Sequence, residues 1–202
     1  WAHEEGHKHI STYLLGRGAV VREEEPGVSG LVNLAYNIGQ EEEPKSRNSQ
    51  EILDETLAQT TVEQHVLDNA LSTAVTWEIL EPVASLVRAG ANPLANETSD
   101  QARSIFAVAV DDNALDVIKF FCQQKLGKPK EDLMARARSE KARTFLTAAG
   151  MGITDNTRVA VAIRTRDIEA LRAGLKTCTD IEFETGSGTP LYLAIEMAAN
   201  AD

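Results

Sequence analysis

Apolar residues recur at helical spacing in short stretches, each closed by a polar or glycine-containing break. Val83, Leu86 and Val87 form one such stripe, and Val117, Ile118, Phe120 and Phe121 form another. Ile10, Leu14 and Leu15, then Ala142, Phe145 and Leu146, then Ile168 and Leu171 repeat the pattern. Spacings of three and four residues put one stripe on one helix face, which predicts amphipathic helices with a single buried side. Three of these stretches end in Arg17-Gly18-Ala19, Ala89-Gly90-Ala91 and Ala149-Gly150-Met151. A glycine just past a helix suits the left-handed turn that ends it. Near the end of the chain, Thr189 and Pro190 precede apolar Leu191, Leu193, Ala194 and Ile195. Threonine can accept from the orphan amides of a helix start, and proline loses nothing there because its missing donor would be unpaired.

The stretch Gly188 to Ala199, GTPLYLAIEMAA, resembles the opening of an ankyrin repeat, whose first helix begins Thr-Pro-Leu-His followed by Ala. At the other end, Trp1 to Val21 resembles the remainder of such a repeat. Taking the mid-helix alanine as register mark gives Ala2, Ala35, Ala74, Ala109, Ala162 and Ala194, with a less regular mark at Ala135. Successive separations are 33, 39, 35, 26, 27 and 32 residues, against a family period of about 33. The repeats depart from the family pattern: only Thr189-Pro190 keeps the cap pair, and Gly30-Leu31, Asn69-Ala70, Ser104-Ile105 and Thr157-Arg158 stand at the matching sites. Tyr36 takes the place of the second Ala of its helix, where a large ring must displace packing or lean outward. The resemblance implies an all-α fold, an α-solenoid of about six to seven irregular ankyrin-type helix-turn-helix repeats. It implies one solenoid over residues 1–202, cut inside its first and last repeats from a larger protein. The lengthened interval carries QEEEPKSRNSQ, which predicts an inserted surface loop over 39–49.

Charge changes the picture in one respect. The net charge of −11 lies wholly in the first half, with 6 Lys or Arg against 17 Asp or Glu before Gln101 and 14 against 14 after it. Glu23-Glu24-Glu25 and Glu41-Glu42-Glu43 supply much of it, and are read as solvated loop charges or as a contact for a basic partner. Arg136, Arg138, Lys141 and Arg143, followed by Arg158, Arg164, Arg166 and Arg172, are interleaved with acids, so no net basic face for nucleic acid results. They remain a candidate patch for an acidic peptide. No apolar run reaches the roughly 18 residues of a membrane span, and two cysteines, Cys122 and Cys178, suit a reducing compartment better than a disulfide framework. An intracellular, cytoplasmic location is expected.

Catalytic chemistry finds little footing. His3 and His7 have the i, i+4 spacing of a helical metal pair, with His9 close by, but Gly6 falls where the repeat would break. A zinc site needs a third ligand and a catalytic one a general base, and Glu4 and Glu5 are not arranged for either role. Cys122 beside Phe120 and Phe121 reads as a small buried hydrophobe. Gly186-Ser187-Gly188 lacks the rest of a phosphate loop and reads as a flexible tip. Neither enzyme, metal nor cofactor is expected.

What the resemblance implies instead is protein binding. Partners of such repeats meet the hairpin tips and the two residues just past the Ala pair of each first helix. Carried onto this chain, these are Glu4 and Glu5, Asn37 and Ile38, Thr76 and Trp77, Asp111 and Asp112, Arg164 and Thr165, and Glu196 and Met197. Trp77 is either an interface anchor or a ring buried under the helix expected over Val62 to Leu71. The expected function is a protein–protein interaction module, by family analogy one resembling bacterial effectors that act on host proteins in the host cytosol. The other reading is a regulatory or targeting segment of an enzyme whose catalytic domain lies elsewhere.

Overall fold

The computed structural model describes residues 30–40, 45–59, 61–96, 103–124 and 126–199. These residues are all-α: eleven helices, and among the described residues no strand beyond one isolated bridge between Asn96 and Ser104. None of the helices is long and apolar enough to cross a membrane. In chain order they are α1 (Gly30–Gln40), α2 (Lys45–Gln59), α3 (Gln64–Thr76), α4 (Leu80–Arg88), α5 (Ile105–Asp111) and α6 (Leu115–Gln123). There follow α7 (Leu133–Arg136), α8 (Glu140–Ala148), α9 (Asp155–Thr165), α10 (Ile168–Thr177) and α11 (Pro190–Ala199).

The chain divides into two compact units, residues 1–105 and 106–202, where the repeat pattern suggests a single one. In the first, α1 packs on α2 and α3, α3 on α4, and α2 on α4. Leu31, Leu34, Leu53, Leu67, Leu71, Ala74, Val83 and Leu86 fill the space between them. Complete burial of such a side chain stabilises by roughly 1.5–3 kcal/mol. In the second unit α9 packs on α7, α10 and α11, while α6 packs on α8. Phe106, Ile118, Phe121, Leu133 and Leu146 are enclosed, and a further cluster joins Ala135, Val159, Ala160, Ile163, Phe183 and Leu193.

Three turns inside helix pairs share one geometry. Glu78, Asn113 and Arg166 all have left-handed backbone, with φ of 57°, 59° and 56°. Each stands four residues after a register alanine: Ala74, Ala109 and Ala162. At the second and third, Ala114 N–H reaches Ala109 C=O at 3.0 Å and Asp167 N–H reaches Ala162 C=O at 2.9 Å. That six-to-one bond is the Schellman closure of a helix end. Left-handed backbone suits asparagine better than glutamate or arginine, so Glu78 and Arg166 hold it at some cost. The second helices of two pairs end at Gly90 (φ 107°) and Gly150 (φ 85°), where a left-handed turn favours glycine.

Several local expectations are corrected. The loop expected over 39–49 is helical at both its ends, since α1 continues through Gln40 and α2 begins at Lys45. Gly39, within α1, leaves room for Trp77 to lie against the helix: a Cβ there would stand 2.3 Å from the Trp77 Cγ. The helix expected to open at Asn69-Ala70 begins earlier, at Gln64, so both residues lie inside α3. Thr157 is not the cap of α9. Thr154 is, its hydroxyl accepting from Thr157 N–H while the Thr157 hydroxyl accepts from Thr154 N–H. This reciprocal capping box satisfies two orphan donors at once. Where a helix start was expected at Ser104-Ile105, α5 begins at Ile105; Pro190 opens α11, with Leu193 N–H bonded to Thr189 C=O at 3.0 Å.

Candidate interaction surface

The ridge positions behave differently in the two units. In the first, Tyr36 and Trp77 meet edge to face, centroids 5.6 Å apart and planes at 83°. Tyr36 is 48% exposed and Trp77 is half-buried. The tyrosine does lean outward, and the tryptophan packs on α1 through Tyr36 and Gly39. Edge-to-face geometry sets the positive rim of one ring against the negative face of the other, adding about 0.5–1.5 kcal/mol beyond burial. Thr76 beside it is exposed, its hydroxyl donating to Ser72 C=O, and Asn37 is half-buried. Ile38 is not available: at 6% exposure it belongs to the core, because α1 continues past it and keeps it on the face of Leu31, Leu34 and Ala35.

In the second unit Asp111 and Arg164 are turned inward. Asp111 is 2% exposed and takes a two-pronged hydrogen bond from Arg136, whose Nε and Nη2 donate at 2.9 and 2.5 Å to its two oxygens. Both partners are buried, so the pair survives only because each neutralises the other. Arg164 is half-buried, and its guanidinium donates to the carbonyls of Ala135 (3.1 Å), Arg136 (3.4 Å) and Thr185 (2.5 Å). Burial, then the neighbouring charges of Arg143 and Arg138, lowers its pKa to about 10, with Asp111 and Glu196 pulling the other way. Arg138 donates to Gly186 C=O at 2.8 Å. Gly186 itself (φ 80°) sits so close that a Cβ would fall 2.7 Å from an Asp111 carboxylate oxygen and 2.8 Å from Arg136 C=O.

The remaining ridge residues are placed as follows. Asp112 and Thr165 are exposed, the Thr165 hydroxyl donating to Val161 C=O at 3.0 Å. Glu196 is half-buried; Met197 packs against the α9 cluster, and its carbonyl accepts from Arg166 at 2.9 Å. Glu4 and Glu5, His3, His7 and His9, and both glutamate triplets lie outside the described residues. The structure thus brings Tyr36 to Trp77 and Asp111 to Arg136. The sequence reading offered Arg136 only as one of a charged run, because its partner is 25 residues distant.

A groove of about 1030 Å³ runs between α8 and α10, with Val161 and Thr165 of α9 at its floor. Two of its threonines spend their hydroxyls locally, Thr144 on Glu140 C=O and Thr177 on Gly174 C=O, while Arg143 is ion-paired with Glu140 and Arg158 with Asp155. What remains to line it is methyl-rich: Ala148, Ile153, Val161, Ala170 and Ala173. Cys122, half-buried, has its thiol pushed up to about 11 by that burial, which suits packing and not nucleophilic attack. Neither a family model nor a curated protein matches the chain.

Proposed function

We propose that the chain is an ankyrin-type repeat module that binds another protein, with Tyr36 and Trp77 as its aromatic anchors, and that it performs no chemistry. The observation that carries this is the aromatic pair itself. An isolated core would enclose two such rings, whereas Tyr36, standing where a repeat would carry a packed alanine, keeps nearly half its surface in water beside the ridge residue Trp77. Aromatic anchors dominate interface energetics because they bury much area at little entropic cost. The ankyrin reading draws support from the left-handed turns at Glu78, Asn113 and Arg166, each at the same distance from its alanine. A partner would cover roughly 1,200–2,000 Å² in total.

The test is affinity capture from a cytosolic extract with the chain and with its Trp77→Ala variant, both checked for equal helicity by circular dichroism. A protein held by the first and lost by the second supports the module. Retention of one set of proteins by both removes Trp77 from the contact.

A further inference from the structure

Resting on the protein-binding reading above, we infer that Arg138, backed by Arg164, forms a cradle for the carboxylates of an extended acidic peptide, lying beside the loop from Thr185 to Gly188. Four guanidinium groups gather on this part of the second unit: Arg136, Arg138, Arg143 and Arg164. Two are neutralised by carboxylates, Arg136 by buried Asp111 and Arg143 by Glu140 at 2.9 Å. The other two hold only neutral backbone oxygens: Arg138 on Gly186, and Arg164 on Ala135, Arg136 and Thr185. Among the described residues, neither has a carboxylate within ion-pairing distance.

A carbonyl satisfies a donor without cancelling a charge, so this edge keeps positive charge where water is partly excluded. The two cations are held on the carbonyls of successive residues of one loop, Thr185 and Gly186. Their mutual influence appears in the Arg164 pKa, lowered first by burial and then by Arg143 and Arg138, against a smaller opposite pull from Asp111 and Glu196. Arg138 is exposed and spends one of its five donors. Its remaining N–H groups can take a carboxylate side-on, the geometry in which guanidinium binds best. The loop is a firm wall for such a peptide. Phe183 and Thr185 are buried, and the Thr185 amide and hydroxyl both donate to Gly188 C=O, at 2.8 and 2.6 Å.

The probe is a fluorescent peptide of alternating Glu and Gly, with a Gln–Gly peptide as its uncharged twin, measured by anisotropy on the whole chain. The Glu peptide is expected to bind at least tenfold tighter than the Gln peptide, and to weaken severalfold as salt screens the exposed charge. Arg138→Gln, which removes an exposed side chain, is expected to cost about tenfold or more. Arg138→Lys should recover part of the loss. Arg172→Gln, which removes an exposed arginine paired to Glu169, should change nothing. Equal binding of the two peptides overturns the cradle, as does indifference to Arg138→Gln. If a captured partner depends on Trp77 while the Glu peptide fails to bind, the cradle falls and the protein-binding module stands. If the Glu peptide binds through Arg138 and nothing depends on Trp77, the aromatic anchors fall and the cradle stands.

Discussion

The Tyr36–Trp77 pair and the Asp111–Arg136 pair each join residues beside two register alanines, in two different units, yet one is half in water and the other is sealed. The difference lies in what each position is given to pack against. Trp77 meets a glycine, Gly39, and so lies flat on α1 with Tyr36 pushed to the surface. Asp111 meets an arginine and a glycine loop, and is closed in by both. A ridge position is open to a partner only where its neighbours leave it exposed. On the proposed function, substitutions should therefore separate the two: the second unit's pair should set stability, and the first unit's pair affinity.

The largest effect is expected at Asp111→Ala. It strands the Arg136 charge in the core and should cost about 3–5 kcal/mol, whereas pairing it with Arg136→Met should restore most of the loss. Denaturant unfolding of the two variants makes the comparison. A single substitution that costs no more than the double would show that the pair is not the structural element described here.

Next is Gly186→Ala, which meets both a left-handed φ of 80° and a contact of 2.7 Å with Asp111. Gly150→Ala meets only a left-handed φ of 85°, with open space around it. The first should destabilise by more than about 2 kcal/mol and the second by about 1 kcal/mol. Thermal melts that rank them the other way would put the loop off the Asp111 carboxylate. A smaller, pH-dependent effect concerns Cys122, whose thiol is raised from 9.0 to about 11. Between those values the unfolded chain ionises while the folded one stays neutral, so this group's contribution to stability falls as pH rises above 9.0. Alkylation of folded Cys122 should accelerate about tenfold per pH unit up to about 11. A rate that levels off near 9 would remove the burial effect.

Much of the helical pattern was legible because it depends on local spacing. The stripes Val83–Leu86 and Val117–Ile118 are buried as their periodicity requires, and Gly90 and Gly150 turn the chain where a left-handed residue is needed. What was not legible depends on pairs distant in sequence. Nothing near Gly39 tells that Trp77 will lie against it, or near Asp111 that Arg136 will pair with it in the core. Ile38 stands inside the core for a local reason: α1 runs on to Gln40, past the expected start of the loop, and keeps Ile38 on its buried face. Thr157 was mistaken for a cap because its true partner, Thr154, lies only three residues upstream and the two act as one unit.

The most direct test of the central claim is to titrate a partner retained by the chain against Tyr36→Ala and Thr165→Ala, with melting temperatures measured alongside. Tyr36 is the better probe because Trp77 also supports α1. The account predicts that Tyr36→Ala weakens binding by more than about 1 kcal/mol at an unchanged melting temperature, while Thr165→Ala leaves both as they were. An affinity untouched by Tyr36→Ala, or lost only in step with the fold, would contradict it.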